Sequence, residues 1–141
     1  MQFWDSSALF ALMVKEPHTV RARAILEGDR DIVSSFITPI ELCSALWRKR
    51  HVGALNSTED LRANANFAAL SYNWITIGEI DRVIAMAISV VSRHALRTGD
   101  AIQLAAAAVA SEAMANRPLR FVTFDKRLAT AARAEGFAVL T

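Results

Sequence analysis

Short apolar runs alternate along the chain with longer stretches in which apolar residues recur every three or four positions. The short runs, apolar and often aromatic, are typical of buried strands, and the longer stretches have the spacing of amphipathic helices. The predicted strands are residues 1–4, 31–34, 74–77, 119–124 and 137–140. The predicted helices are residues 6–14, 18–27, 38–51, 56–72, 79–94, 98–110 and 125–135. This alternation predicts an α/β fold with an open, mostly parallel five-stranded sheet and helices on both faces.

Two of the predicted helices have strong signals at their starts. Thr38 as N-cap, Pro39 in the first turn and Glu41 three residues after the cap predict a capping box. The alanine-rich helix has Thr98 as its predicted N-cap and Gly99 to let the chain turn tightly. Alanine is the best helix former, and its small side chain predicts that this helix packs closely at the centre of the core.

Composition indicates a single compact domain over residues 1–141, since 53% of the residues are hydrophobic and only 21% are charged. The single cysteine, Cys43, excludes an internal disulfide and is predicted to be buried. No run is long and apolar enough to span a membrane, and Asp5 interrupts any signal sequence, so a cytoplasmic protein is expected. The net charge of +2 is compatible with a polyanionic partner.

Four acids are predicted to meet at the carboxyl edge of the sheet, where ligands bind in open α/β folds. Asp5, Glu41 and Asp125 follow predicted strands, and Asp100 opens the alanine-rich helix. Each has a purely structural interpretation as a cap or as a partner of a helix dipole. Gathered at one edge, however, close pairs of carboxylates would repel by about 3 to 4 kcal/mol. A cation would offset this repulsion, and an all-oxygen set suits Mg²⁺ or Mn²⁺, which support phosphodiester hydrolysis.

The segments that carry these acids form four motifs. They are residues 4–9 (WDSSAL), 38–42 (TPIEL), 97–105 (RTGDAIQLA) and 122–128 (VTFDKRL). In this order and spacing they resemble the acid-bearing motifs of PIN-domain ribonucleases, and among these the VapC-type toxins. The resemblance spans nearly the whole chain.

The resemblance implies a single PIN domain with a three-layer sandwich and the activity of a Mg²⁺- or Mn²⁺-dependent RNA endonuclease. It also implies a homodimer that is neutralised by a VapB-type antitoxin. The implied metal ligands and catalytic carboxylates are Asp5, Glu41, Asp100 and Asp125. Asp125 is implied to act directly or through water, and Ser7 and Thr123 to orient carboxylates through their hydroxyls. Gln103 stands where many relatives have histidine.

Basic and aromatic side chains add candidates for RNA contact and for packing. Arg93 and Arg97, shortly before Asp100, are predicted to form a basic rim that draws RNA to the acidic centre. Arg48 belongs to a basic run that contacts phosphate or only favours a helix C-terminus. The three tryptophans are predicted to pack in the core and the three histidines to lie on the surface. Residues 40–47 and 80–91 carry apolar surface that predicts a homodimer.

Two other classes of protein were weighed against a nuclease. A phosphoacceptor receiver domain also places acids beyond strand ends, but it needs paired acids after the first strand, where this chain has Asp5-Ser6-Ser7. The alternative to an enzyme is a PIN-like module that binds RNA or protein without cleaving RNA. The presence of all four acids favours the nuclease.

Overall fold

The computed structural model describes residues 1–114 and 118–141, which form one sheet with helices packed on both faces. The strands are Gln2–Trp4 (β1), Ile32–Ser35 (β2), Ile75–Ile77 (β3), Arg120–Val122 (β4) and Val139–Leu140 (β5). They pair in the order β3-β2-β1-β4-β5, and every pairing is parallel. The predicted α/β class and five-stranded sheet are therefore confirmed.

The helices lie close to the positions predicted from the apolar spacing. They are Ser6–Met13 (α1), Thr19–Gly28 (α2), Thr38–His51 (α3), Ser57–Asn73 (α4), Ile80–His94 (α5), Thr98–Ala113 (α6) and Lys126–Ala134 (α7). In residues 1–114 and 118–141, none of the helices combines the length and the apolar character needed to cross a membrane.

The two faces of the sheet have separate cores, which gives the three layers. Successive residues of a strand point to opposite faces, and Phe3 and Trp4 of β1 are both fully buried on different sides. Phe3 packs with α5, α6 and α7, whereas Trp4 packs with α1, α2, α3 and α4. Five of the seven alanines of α6 are buried in the core, as the composition of this helix predicted.

Two residues of α3 are exposed although the sequence predicted them to be buried. Leu42 and Leu46 form the inward face of the helix, and Cys43 and Trp47 each follow one of them by a single position. One residue turns an α-helix by about 100°, so both side chains leave the core. Trp47 is 59% exposed and stacks on His51, four residues later.

His94 was predicted to lie on the surface and is instead half-buried at the end of α5. Its ring contacts the Glu135 carboxylate, which also accepts two hydrogen bonds from Arg93 at 2.9 and 3.0 Å. These bonds hold the pKa of Glu135 below its usual range. The cluster joins the end of α5 to the end of α7.

Candidate active site

The carboxyl ends of β1, β2 and β4 open into a cavity of about 700 Å³. Glu41, Asp100 and Asp125 line it, whereas Asp5 is buried between β1 and α1 with its neighbour Ser7 on the cavity wall. The structure thus brings the four predicted acids to one edge of the sheet.

Asp5 begins α1 as its N-cap and is held by three hydrogen-bond donors. Its Oδ1 accepts from the backbone N–H of Ala8 at 3.0 Å and from Ser7 Oγ at 2.8 Å, and its Oδ2 accepts from Thr123 Oγ1 at 3.1 Å. The backbone N–H of Asp5 donates to the carbonyl of Val122 at 3.1 Å. The acid is therefore fixed by its own helix and by the end of β4.

The Ser7 and Thr123 hydroxyls are oriented toward Asp5 because their lone pairs have other donors. Ser7 Oγ accepts from the backbone N–H of Phe124 at 3.0 Å, and Thr123 Oγ1 accepts from that of Asp125 at 3.1 Å. Each hydroxyl then has its proton left to donate to the carboxylate. These bonds tie Asp5 to the turn that carries Asp125.

The pKa of Asp5 is raised to about 7, and burial is the main cause. The hydrogen bonds from Ala8, Ser7 and Thr123 favour the ionised form but do not fully offset the loss of hydration. Near neutral pH this carboxyl exchanges a proton readily, and a nearby cation would favour its charged form.

Glu41 does not form the predicted capping box. Helix α3 begins at Thr38, Ile37 occupies the N-cap position, and no side chain caps the helix. The Thr38 hydroxyl pairs instead with Ser34 Oγ at 2.8 Å and accepts from Gln103 Nε2 at 3.0 Å. The Glu41 side chain is consequently free to extend into the cavity.

Gln103 holds Glu41 from the neighbouring helix α6. Its Nε2 donates to Glu41 Oε2 at 2.7 Å, and the Gln103 side chain is almost fully buried. Gln103 Oε1 has no hydrogen-bond partner among the described residues, so the amide is oriented entirely by what its nitrogen donates to. Glu41 is therefore positioned by a neutral amide donor. This donor, Gln103, stands where many of the proteins that the sequence resembles have histidine.

Gly99 provides space for Glu41, and its predicted role in a tight turn is wrong. Helix α6 begins at Thr98, with Arg97 rather than Thr98 in the N-cap position, so Gly99 lies within the helix. A Cβ added to Gly99 would lie 2.5 Å from Glu41 Oε1. Any larger residue would push the carboxylate from its present place.

Asp100 lies in the first turn of α6 and interacts with several charged neighbours. Its pKa is raised by burial first and then by the carboxylates of Asp125 and Glu41, while Arg97 and Arg127 act in the opposite direction. The predicted repulsion between acids is therefore present at Asp100.

Asp125 caps α7 through one oxygen. Its Oδ1 accepts from the backbone N–H groups of Arg127 at 2.7 Å and Leu128 at 2.8 Å. Both bonds end on Oδ1, so Oδ2 can bind another ligand while the cap persists. The capping and the catalytic interpretations of Asp125 are geometrically compatible.

The donor set fits a hard divalent cation such as Mg²⁺ or Mn²⁺. All four acids offer oxygen, and a cation would relieve the repulsion that raises the pKa of Asp100. Within residues 1–114 and 118–141, no three acidic, histidine or cysteine side chains already surround one point closely enough to form a metal cage. Mg²⁺ commonly binds through one or two carboxylates and keeps several waters, so its binding does not need such a cage.

The basic residues divide into those on the cavity and those away from it. Arg48 and Arg97 line the cavity, and Arg48 Nη1 also donates to Ser44 Oγ at 2.7 Å. Arg93, predicted to share the rim with Arg97, is not on the cavity wall because it pairs with Glu135.

One feature of this wall was not predicted from the sequence: the His18 ring stacks on the Phe124 ring. The two rings are 4.5 Å apart between centroids and nearly parallel, at 8°. Both line the cavity. Since 106 positions separate them, only the fold could place them together.

Solved structures with the same fold span nearly the whole chain. PAE2754 from Pyrobaculum aerophilum has a TM-score of 0.64 and 19% identity, over 98% of this chain and 81% of that one. FitAcB from Neisseria gonorrhoeae has a TM-score of 0.65 and 20% identity, over 100% and 97%. A toxin-antitoxin complex from Klebsiella pneumoniae has a TM-score of 0.60 and 20% identity, over 100% and 97%.

No curated protein matches the sequence significantly. The family model of the PIN domain matches residues 3–134, a span that includes β2, β3, β4, all of β1 except Gln2, and every acid of the cavity. The chain belongs to the PIN domain family.

Proposed function

We propose that the protein is a Mg²⁺- or Mn²⁺-dependent endoribonuclease that acts as the toxin of a VapBC-type toxin–antitoxin pair. The observation that carries the proposal is the meeting of Glu41, Asp100 and Asp125 on one cavity beside the buried Asp5. Burial, and then the carboxylates of Asp125 and Glu41, raise the pKa of Asp100 there. Four acids at the carboxyl edge of a sheet are costly to the fold unless a ligand uses them. Membership of the PIN family supports nuclease activity.

Glu41, Asp100 and Asp5 would hold the metal ion, with Asp125 binding it directly or through water. The bound ion would activate a water molecule and neutralise charge that develops on the phosphate. Gln103 keeps Glu41 in the cavity, and Ser7 and Thr123 keep Asp5 in place. Arg97 and Arg48 supply the positive charge on the wall that would attract the RNA backbone.

The proposed partners of the chain are an antitoxin of the VapB type and a second copy of the chain. One solved structure with this fold is described as a toxin-antitoxin complex, which supports an antitoxin partner. The homodimer is supported by apolar side chains left exposed on α5, among them Ile84 at 47% and Ile88 at 69%. Ile40 on α3 is also 69% exposed.

The proposed activity is tested on protein freed of any bound antitoxin, with labelled single-stranded RNA. Cleavage is expected with Mn²⁺ or Mg²⁺ and not in chelator, because the carboxylates alone do not activate water. A Glu41→Gln protein purified in parallel controls for contaminating ribonuclease. Equal cleavage in chelator would contradict the metal mechanism, and RNA binding without cleavage in any metal would favour the non-enzymatic module.

Replacing Gly99 with Ala is expected to lower the cleavage rate by about 10- to 100-fold without destabilising the metal-free protein. The new Cβ displaces the Glu41 carboxylate, and a misplacement of about 1 Å is enough for such a loss. Alanine favours a helix by up to about 1 kcal/mol over glycine, and the flexible Glu41 side chain can move aside.

Gly28→Ala is the matched control for this substitution. Gly28 is also helical, at the end of α2, and an added Cβ there meets nothing within 4 Å. Both variants are compared by urea unfolding in chelator and by cleavage in Mn²⁺. If Gly99→Ala cleaves RNA as fast as Gly28→Ala does, the position of Glu41 does not matter for the reaction.

A further inference from the structure

A second cavity adjoins the acidic one and has the opposite charge. It measures about 530 Å³, within the size range of ligand sites. Its cationic lining residues are Arg21, Lys126 and Arg133, which come from α2 and α7. We call it the basic cavity.

The two cavities share one wall. His18, Phe124 and Asp125 line both of them, so the His18–Phe124 stack is a ridge between the acids and the basic cavity. A ligand that crosses this ridge would contact both cavities at once. A polymer with a regular repeat is better suited to this than a small molecule.

The protein offsets the positive charge of the basic cavity only in part, since its lining has three cationic side chains and the acid Asp125. Some cations of the described chain pair with carboxylates, as Arg50 does with Asp60 and Arg82 with Glu79 and Glu112. In the part of the chain that the structure describes, neither Lys126 nor Arg133 is within salt-bridge distance of a carboxylate.

Arg21 and Asp125 leave this charge largely intact. Arg21 Nε donates to the main-chain oxygen of Thr141 at 2.9 Å, which fixes the Arg21 side chain at the cavity wall. Asp125 is the acid on the shared wall, and its Oδ1 is already occupied by the start of α7. The lining therefore keeps an excess of positive charge, which favours an anion.

The ridge itself is a flat aromatic surface. One face of the His18 ring is covered by Phe124, while His18 as a whole is exposed, so the rest of the imidazole is open to solvent. Aromatic and histidine rings in this setting stack with unpaired bases of single-stranded RNA.

We propose that the basic cavity binds a backbone phosphate of the RNA substrate outside the cleavage site, and that the adjoining base stacks on the His18–Phe124 ridge. This rests on the proposed ribonuclease function. Charge favours RNA over a protein partner here, because Lys126 and Arg133, which have no carboxylate partner among the described residues, lie with Arg21 beside a stacking surface and match a phosphate next to a base. The ridge then sets which nucleotide reaches the acids, and the substrate is single-stranded at this point.

The role of the cavity's charge is tested with the double variant Lys126→Gln/Arg133→Gln. Both side chains are exposed, so replacing them should not disturb the fold. Its control is Arg23→Gln/Arg62→Gln, which removes the same charge from exposed positions of α2 and α4 that do not line the cavity. Binding of a fluorescent single-stranded decaribonucleotide is followed by anisotropy in chelator at several salt concentrations.

The cavity variant is expected to bind about 10-fold more weakly than the control at 0.1 M salt. Its slope of log affinity against log salt should be smaller by about 0.7, the contribution of one phosphate contact on a single strand. The same affinity and slope in both double variants would overturn the proposal. A second result would also overturn it: an oligoglutamate peptide that binds wild type as tightly as the RNA does and is weakened as much in the cavity variant. The cavity would then be a protein site.

The stack is tested with His18→Ala and His18→Phe in the same assay. His18→Ala is expected to weaken binding by about 10-fold, the effect of losing one stacked base, and His18→Phe to restore it. Weaker binding in both variants would show that the imidazole acts by hydrogen bonding or charge. Unchanged binding in both variants would show that no base stacks on the ridge.

These measurements are separate from the test of nuclease activity. Binding in chelator requires neither metal nor cleavage, so a chain that binds as expected but cleaves nothing would refute only the proposed function. A chain that cleaves RNA in Mn²⁺ but has an unaltered salt slope in the cavity variant would refute only this inference.

Discussion

Replacing Glu41 with Gln, or Asp100 with Asn, is expected to reduce RNA cleavage by about 100-fold or more while leaving the metal-free protein at least as stable as wild type. The loss follows from removing a ligand of the ion that activates water. The stability follows from the raised pKa of Asp100, whose charged form is disfavoured first by burial and then by the carboxylates of Asp125 and Glu41. Neutralising either acid removes that repulsion.

Melting with and without Mn²⁺ distinguishes this outcome from general damage to the fold. Wild type should gain stability in proportion to metal binding, about 2.7 kcal/mol when the ion is at 100 times its Kd, and the two variants should gain less. Asp125→Asn should keep the fold, since an amide oxygen preserves the cap of α7. Its activity should fall less than that of the other two variants when Asp125 binds the ion through water.

Glu59→Gln is the matched control for these acids. Glu59 lies in the first turn of α4 and forms a capping box with Asn56, away from the cavity. A glutamine maintains this box, so activity and metal response should equal wild type. If Glu41→Gln behaves like Glu59→Gln, Glu41 is only a residue of the first helical turn.

Metal-free protein should become less stable as the pH rises from about 4 to above 7, and Asp5 should account for most of this, with Asp100 acting in the same direction. The pKa of Asp5 is about 7 in the folded state, against an ordinary value of 3.8. Between these values the folded state binds more protons than the unfolded state, so the free energy of unfolding falls as the pH increases. The contribution is fully present below pH 3.8 and is lost above pH 7. At 1.36 kcal/mol per pKa unit it amounts to about 4 kcal/mol.

The contribution is measured as the difference between wild type and Asp5→Asn in urea unfolding at pH 5 and pH 8, in chelator. The asparagine does not titrate, so its curve should be flatter over this range. Asp29 and Glu135, whose pKa values are lowered, lose their contributions at acid pH in both proteins and cancel in the difference. Parallel curves for the two proteins would contradict the raised pKa of Asp5.

Adding Mn²⁺ should weaken this pH dependence in wild type and leave Asp5→Asn nearly unchanged. The ion binds the ionised carboxylate and competes with the proton, so the charged form becomes the stable one in the folded state. The same urea experiment in Mn²⁺ measures this effect.

Local sequence signals predicted the fold well because they depend on neighbours along the chain. The Asp125 cap, for example, forms with a residue only three positions later. Strand–helix alternation with short connections leaves few topologies other than a parallel sheet. The convergence of the four acids followed from that sheet, since its strands end at one edge.

The details that failed depend on partners that are distant in sequence. Thr38 is a good N-cap by composition, but its hydroxyl binds Gln103, which is 65 residues away. Gly99 is typical of a turn, yet it makes room for Glu41 from another helix. A local pattern identifies what a residue favours, and tertiary contacts decide which of its options is used.

The predicted burial of Cys43 and Trp47 was wrong for a related reason. Apolar type alone predicted burial, whereas the face of α3 that meets the sheet is set by Leu42 and Leu46. The width of that face depends on what packs against it, and this is not encoded within the helix.

The four acids differ in how much of the fold depends on them. Asp5 and Asp125 each start a helix, whereas the side chains of Glu41 and Asp100 cap nothing. A descendant of this protein released from selection for RNA cleavage would therefore lose Glu41 and Asp100 early and retain Asp5 and Asp125 for the helices they begin. In a PIN-like sequence of unknown activity, the pair equivalent to Glu41 and Asp100 is the better indicator of a working nuclease.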